Sequence, residues 1–466
     1  MNVKVKFLGG AGTVTGSRYL LEIDNFKLLV DCGMFQGIKD YRLRNWEEFP
    51  VNPAEIDMVI LTHAHIDHTG YLPKLVKSGF KGPVYCTNPT LELVKIMLLD
   101  SGKLQEEEAA FAQKKGYSKH EKPEPLYTVE DAEKVFPLLN GVDFEEVQSI
   151  VPFFDFTFYN AGHILGAAIL KLRVKGENQV KKIVFSGDLG RYHDPILNPP
   201  ARLPFADILF LESTYGDRVS KVRNQEDELA LAIRNAYRNG GVAVIPAFAV
   251  GRTQLILFYL HRLQQKGKIP NIPIYVDSPM AIDVTNLYKK FNHYHRLKPV
   301  LEEEGCNPFS HKNLHYYQSQ EASMSLNALR GDAIIISASG MATGGRVMHH
   351  LYNRLPNEQD SIIFVGYQAK GTRGRRLLDG EESVRMYGLN VPVKASISYV
   401  EGLSAHADQE ELVDWAQGFT SKPKMTFLVH GEDEARKSLG EKLKEELDWN
   451  STIPEYLESF MLFEGI

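Results

Sequence analysis

Along the first two hundred residues, apolar and polar positions alternate in short runs broken by Gly, Asn and Asp. The runs VKVKFLG, YLLEI, KLLVDCG, MVILTHAH and FTFYN are short, apolar-rich and bounded by turn residues, the first of them alternating, so this part reads as sheet. Between Leu91 and Phe136 the pattern turns polar, charged and helical, which predicts helices covering a sheet.

From about Asp217 the rhythm becomes strand, glycine-bearing loop, helix. GVAVIPAFAVGRTQLILFYLHRL, IPIYVDSPMAIDVTNLYKKF and DAIIISASGMATGGRVMHHLYNRL are three such units, and the strand SIIFVGYQ follows. They predict βαβ units on a mainly parallel sheet over residues 217–393. MTFLVHGEDEARKSLGEKLKEEL then returns to one strand and one helix before the apolar tail FMLFEGI. The simplest organisation is a domain made of residues 1–216 and 394–466, with the α/β unit 217–393 inserted into it. A chain of 466 residues, 43% hydrophobic, has the length and the apolar content for two such cores.

Charge adds little. Lys+Arg 53 against Asp+Glu 59 gives a formal net charge of -6, so a polyanionic partner must be held by a local patch rather than by a global field. Cys32, Cys86 and Cys306 are odd in number and far apart, which argues for buried thiols in a reducing compartment. The start reads as a strand and a turn rather than a leader, and no run of eighteen apolar residues occurs. A soluble, cytoplasmic protein without a membrane partner is the expectation.

Chemistry enters with THAHIDHTG, Thr62 to Gly70, directly after an apolar strand. Neutral imidazole and carboxylate are transition-metal ligands, and His63, His65, Asp67 and His68 are close enough to share ions. On an extended backbone His63, His65 and Asp67 project alike while His68 is displaced at a turn, so one loop can feed two metals. Three more candidates stand at apparent strand ends: His163 in AGHILGAA, Asp188 in FSGDLG and His430 in LVHGE. Five histidines with two carboxylates favour two zinc ions over magnesium or calcium, with manganese or iron as alternatives. Paired ions of this kind activate water against phosphoryl groups, so hydrolysis is the favoured reaction.

Two further patterns bear on a phosphate-bearing substrate. In AFAVGRTQ and SASGMATGGR a strand runs through glycine into a helix, which turns backbone N–H groups toward an anion near Arg252, Ser339 and Arg346. The loop AKGTRGRRLLDG carries Lys370, Arg373, Arg375 and Arg376, and could hold a nucleic-acid backbone without reading bases. The early GGAGTVTG lacks dinucleotide-binding spacing and reads as a turn.

THAHIDHTG, AGHILGAA, SGDLG and LVHGE together resemble the motifs of the metallo-β-lactamase superfamily. LESTYGDR, GLSAHAD and the inserted α/β unit narrow the resemblance to its β-CASP nucleases. That group contains the endonuclease subunit of the cleavage and polyadenylation specificity factor and its bacterial and archaeal relatives. The resemblance implies an αββα sandwich carrying an inserted α/β β-CASP domain, with two zincs in the cleft between them. It implies His63, His65 and His163 on one zinc, Asp67, His68 and His430 on the other, and Asp188 bridging. Asp31 would steady a ligand histidine, His406 would protonate the leaving oxygen, and Glu212 would orient His406.

His430 links the resemblance to RNA-cutting members, so single-stranded RNA is the implied partner and a homodimer the implied assembly. THAHIDH and the absence of a long C-terminal extension favour an endonuclease, with 5′ exonuclease activity as an addition. The competing expectations are a small-molecule ester, thioester or lactam hydrolase of the same superfamily, and a silent RNA-binding scaffold. The first leaves the insertion, His406 and the basic loop without a role. The second predicts missing ligands, yet all seven are present.

Overall fold

The computed structural model describes residues 1–115, 123–220, 225–297, 307–368 and 371–466. The chain forms two compact units, one of Met1–Val219 with His406–Ile466 and one of Ser220–Ala405.

In the first unit, among the described residues, two seven-stranded sheets enclose one core. Alternation decides which faces meet: Val3, Val5 and Phe7 of the strand Val3–Gly9 are fully buried, while Lys4 between them is exposed. They join Phe154, Phe156 and Phe158 of Phe154–Asn160 and Phe210 of Ile208–Glu212 in that core. The rings of Phe185 and Phe210 stack with centroids 4.1 Å apart. The tail Ser459–Phe463 pairs antiparallel with Val3–Gly9 and forms the edge of the first sheet, which accounts for its apolar character inside its own fold.

Register in this unit positions the candidate site. In the first sheet, Phe26–Val30 runs parallel to Met58–Ile60 with Val30 opposite Ile60, so Asp31 and Thr62 leave the sheet at the same edge. In the second, Ile208–Glu212 lies parallel between Val180–Phe185 and Met425–Val429, with Glu212 opposite Val429. Residues that follow the carboxyl ends of parallel neighbours are therefore gathered along one rim.

The second unit holds a six-stranded, all-parallel sheet in the order Leu314–Tyr316, Ile274–Val276, Ala333–Ser337, Val242–Pro246, Ser361–Phe364, Ser396–Tyr399. Helices Arg252–Gln265, Pro279–Lys290 and Val347–Arg354 connect it, as strands buried on both faces require. The edge strand Ser396–Tyr399 extends this sheet beyond Val393, where the hydropathy pattern returned the chain to the first domain. It is short and only half-buried, so its apolar alternation is weak.

Candidate metal centre

The strand Met58–Ile60 stops before the histidines, and a single helical turn, Ile66–Thr69, follows them. His63 and His65 thus remain on extended chain, whereas Asp67 and His68 sit on that turn. This differs from the expectation that Asp67 projects with His63 and His65, because helical backbone rotates each side chain by about 100° instead of 180°.

His63 Nε2 and His163 Nε2 each lie 3.2 Å from His65 Nδ1, and 3.4 and 3.6 Å respectively from Asp188 Oδ2. On the other side of the same carboxylate, Asp188 Oδ1 is 3.4 Å from His68 Nε2 and 3.5 Å from His430 Nδ1, and Asp67 Oδ2 is 3.2 Å from His430 Nε2. Four ligands at the 2.0–2.1 Å bond lengths of zinc are about 3.3–3.4 Å apart in a tetrahedron. The first set has that spacing. Both groups could hold an ion, and Asp188 faces both with different oxygens.

Asp188 is 1% exposed, and neither of its oxygens has a hydrogen-bond partner among the described residues. A buried carboxylate left this way loses its hydration without replacement, so cations are the chemistry that fits it. Electrostatics agrees. Burial pushes Asp188 up, but His430, His68 and His63 outweigh it and hold the carboxyl well below its usual range. Burial drives His63 down and His65 to about 4, which keeps both rings neutral, the form that can bind a metal. His68 is pushed down by burial and raised more strongly by Asp188 and Asp31.

Hydrogen bonds fix which nitrogen each ring presents. Asp31, in left-handed backbone at φ 59°, accepts from Thr62 N–H (2.7 Å), from the Thr62 hydroxyl (2.9 Å) and from His68 Nδ1–H (2.8 Å). The Thr62 hydroxyl in turn accepts from His63 Nδ1–H at 3.1 Å. Both rings are thereby left with Nε2 toward the centre.

A second chain of the same kind runs through Glu212, 1% exposed. It accepts from Leu189 N–H (2.6 Å), from the Thr214 hydroxyl (2.6 Å) and from His406 Nδ1–H (3.2 Å). The Thr214 hydroxyl accepts from His430 Nδ1–H at 3.0 Å. Carboxylate, threonine and histidine are linked in the same order on both sides. Sequence reasoning missed both threonines. Their only signal was a hydroxyl beside a ligand in THAH and two residues past the strand-end Glu in LEST.

His406 comes from the loop before the helix Gln409–Gln417, which Asp408 and Glu411 cap reciprocally. Ala407 N–H donates to Leu189 O at 2.8 Å, and Arg191 pairs with Asp408 and Glu411, so the loop is held from three directions. His406 Nε2 lies 4.0 Å from Asp188 Oδ2. Burial pushes the ring down, but Glu212 outweighs it and raises His406 to about 9, so it is protonated at neutral pH.

Thr214→Val is expected to lower metal affinity roughly 10- to 100-fold, as loss of a partner that orients a ligand does, with a smaller effect on stability. Zinc titration against a competing chelator reads it, and wild-type affinity would remove Thr214 from the site.

The residues expected to hold phosphate are placed differently. In the second unit Arg346 donates to Asp277 Oδ1 (2.7 Å) and to the carbonyls of Tyr317 and Gln318. Arg373 donates to the carbonyls of Ala342 and Arg385, and Ser339 pairs with Thr343. Arg252 opens the helix Arg252–Gln265 and is 8% exposed. Arg375 pairs with Asp379 and Arg376 with Glu381, which reduces the charge of the basic loop, and Lys370 lies outside the described residues.

The two-sheet sandwich and its rim of histidine and carboxylate define a metallo-hydrolase of the metallo-β-lactamase superfamily, and a metal is its cofactor. The matching family profiles are the "Metallo-beta-lactamase superfamily domain" over residues 20–206, the "Beta-Casp domain" over 253–377 and the "Zn-dependent metallo-hydrolase RNA specificity domain" over 390–454. The chain belongs to the β-CASP family within that superfamily. It is 37% identical to "Ribonuclease TTHA0252" of Thermus thermophilus, over 93% of this chain and 94% of that protein. It is 33% identical to "Transcription termination factor FttA" of Methanosarcina mazei, over 99% of this chain and 72% of that one. A crystal structure of a protein of unknown function from Enterococcus faecalis V583 shares the fold, with a TM-score of 0.55 at 13% identity over 99% of this chain and all of that one.

Proposed function

We propose that the protein is a zinc-dependent ribonuclease that hydrolyses phosphodiester bonds of single-stranded RNA, cutting internally, with 5′ exonuclease activity as a second mode. The observation that carries this reading is Asp188, whose two oxygens face separate ligand groups beside the His406–Glu212 pair. The names of the relatives, a ribonuclease and a transcription termination factor, support RNA as the substrate.

In this reading His63, His65 and His163 hold one zinc, Asp67, His68 and His430 hold the other, and Asp188 joins them. When bound, paired ions of this kind acidify water and neutralise charge on phosphoryl oxygens. Asp31, Thr62 and Thr214 orient the ligand rings. His406 holds a proton at Nε2 and gives it to the departing 3′ oxygen as water adds to phosphorus, which leaves a 3′ hydroxyl on one product and a 5′ phosphate on the other. Arg252, Ser339 and Arg373 would meet RNA phosphates in the insert, while Arg346 is held by Asp277.

The cytoplasm is the proposed location, and among the described residues no helix is long and apolar enough to cross a membrane. A homodimer is the proposed assembly, without a role for the tail, which is an edge strand of its own sheet. Digestion of 5′-labelled and 3′-labelled single-stranded RNA side by side, with metal analysis of the same sample, tests the reading. Internal fragments from both substrates and two equivalents of zinc are expected. Intact RNA from zinc-loaded protein would refute it.

A further inference from the structure

The carboxyl edge of the insert's sheet carries a feature that the metal centre does not use. Val242–Pro246, Ser361–Phe364 and Ser396–Tyr399 are consecutive in the sheet and all parallel, so their carboxyl ends lie on one edge. An aromatic residue stands at or just beyond each end: Phe248, Tyr367 and Tyr399, which are 37%, 37% and 46% exposed. Neighbouring strands are about 4.7–4.9 Å apart, so three successive ends spread these rings over roughly 10 Å.

The connections diverge at this edge. After Val242–Pro246 the chain crosses toward Ile274–Val276 on one side of the sheet, whereas after Ser361–Phe364 it continues to Ser396–Tyr399 on the other. Ligands of open parallel sheets bind outside the carboxyl ends where connections part. The local structure holds the edge open. A Cβ on Gly340 would come within 2.9 Å of the Phe248 ring, so glycine there lets that ring lie against backbone, and Gly366 lies on its other neighbouring loop. Gln368, 4% exposed, donates to the carbonyls of Gly340 and Gly366 and ties the two loops together. Arg375 is exposed on the helix Arg373–Leu378, and Arg252 starts the helix that follows Phe248.

We propose that Phe248, Tyr367 and Tyr399 form a stacking row that holds successive unpaired bases of the RNA substrate. The proposal rests on the ribonuclease reading and adds a site to it. Every base has a π-face, so such a row grips single strands with little sequence preference, and paired bases cannot enter it.

Tyr367 and Tyr399 are partly exposed, and melting curves of their variants separate loss of the row from loss of the fold. Tyr367→Ala and Tyr399→Ala should each raise KM for a single-stranded RNA of about a dozen nucleotides roughly tenfold. Hydrolysis of bis(p-nitrophenyl) phosphate should not change, since that ester carries no nucleobase and no strand to lay along the row. Tyr367→Trp should keep the wild-type KM, while Tyr367→Leu should not. The sequence has three tryptophans, Trp46, Trp415 and Trp449, none of them in the insert, so emission in excess of the wild type's reports the new indole and should be quenched by single-stranded RNA. Wild-type KM in both alanine variants, or emission unmoved by RNA that is being cleaved, would overturn the row. Wild-type protein that splits the small ester but no RNA would instead remove the ribonuclease reading beneath it.

Discussion

Asp188→Ala is expected to abolish metal binding and activity together. The side chain is buried, neither oxygen has a hydrogen-bond partner among the described residues, and each oxygen faces a different set of ring nitrogens. Truncation removes the fourth ligand of one set and the negative charge shared by both. Charge stabilisation by such ions is worth several kcal/mol, so the rate should fall roughly 10³-fold or more. Zinc should raise the melting temperature of the wild type, because it binds only the folded chain, and should leave that of the variant nearly unchanged. Two equivalents of metal retained by purified Asp188→Ala would contradict the bridging role.

His406→Ala is expected to separate chemistry from metal binding. His406 Nε2 lies 4.0 Å from Asp188 Oδ2, its ring centroid is 4.4 Å from that of His163, and its Nδ1–H is given to Glu212. The variant should keep its zinc and lose roughly 10²- to 10⁴-fold in kcat, the range for a general acid. The sign of its pH dependence follows from Glu212. The carboxylate raises His406 to about 9, so the acid is protonated below that value and is lost as pH rises through it. Two bound cations would draw the limb lower, but the comparison between variants is unaffected. Glu212→Gln removes the anion and should move the alkaline limb toward neutral pH. An unmoved limb would dissociate the pair, and zinc lost in parallel with activity in His406→Ala would make His406 a ligand.

Much of the donor set was legible because transition-metal ligands are few in kind and stood where apolar runs ended. His63, His65 and His68 share one segment, and His163, Asp188 and His430 each follow a strand by no more than three residues. The hydrogen-bonded threonines were not legible, since Thr62 and Thr214 have no property that sets them apart from any surface hydroxyl. Nor was the fate of Arg346, whose partner Asp277 is 69 residues away in the chain. The basic loop is a different case. Asp379 stands four residues after Arg375 on a helix, a spacing that favours the ion pair found there, and the sequence already offered it.

The sequence by itself determined the chemistry: which side chains can bind a transition-metal cation, and which runs become sheet, because both follow from residue type and local pattern. The tertiary structure decided the grouping. Asp67 joins His68 and His430 rather than its neighbours His63 and His65, and Asp188 faces both groups at once. Those outcomes rest on parallel register, which sets Val30 beside Ile60 and Glu212 beside Val429 and so brings distant strand ends to one rim. Spacing along a chain carries no record of that register, since it is fixed by how two sheets bury their apolar faces against each other.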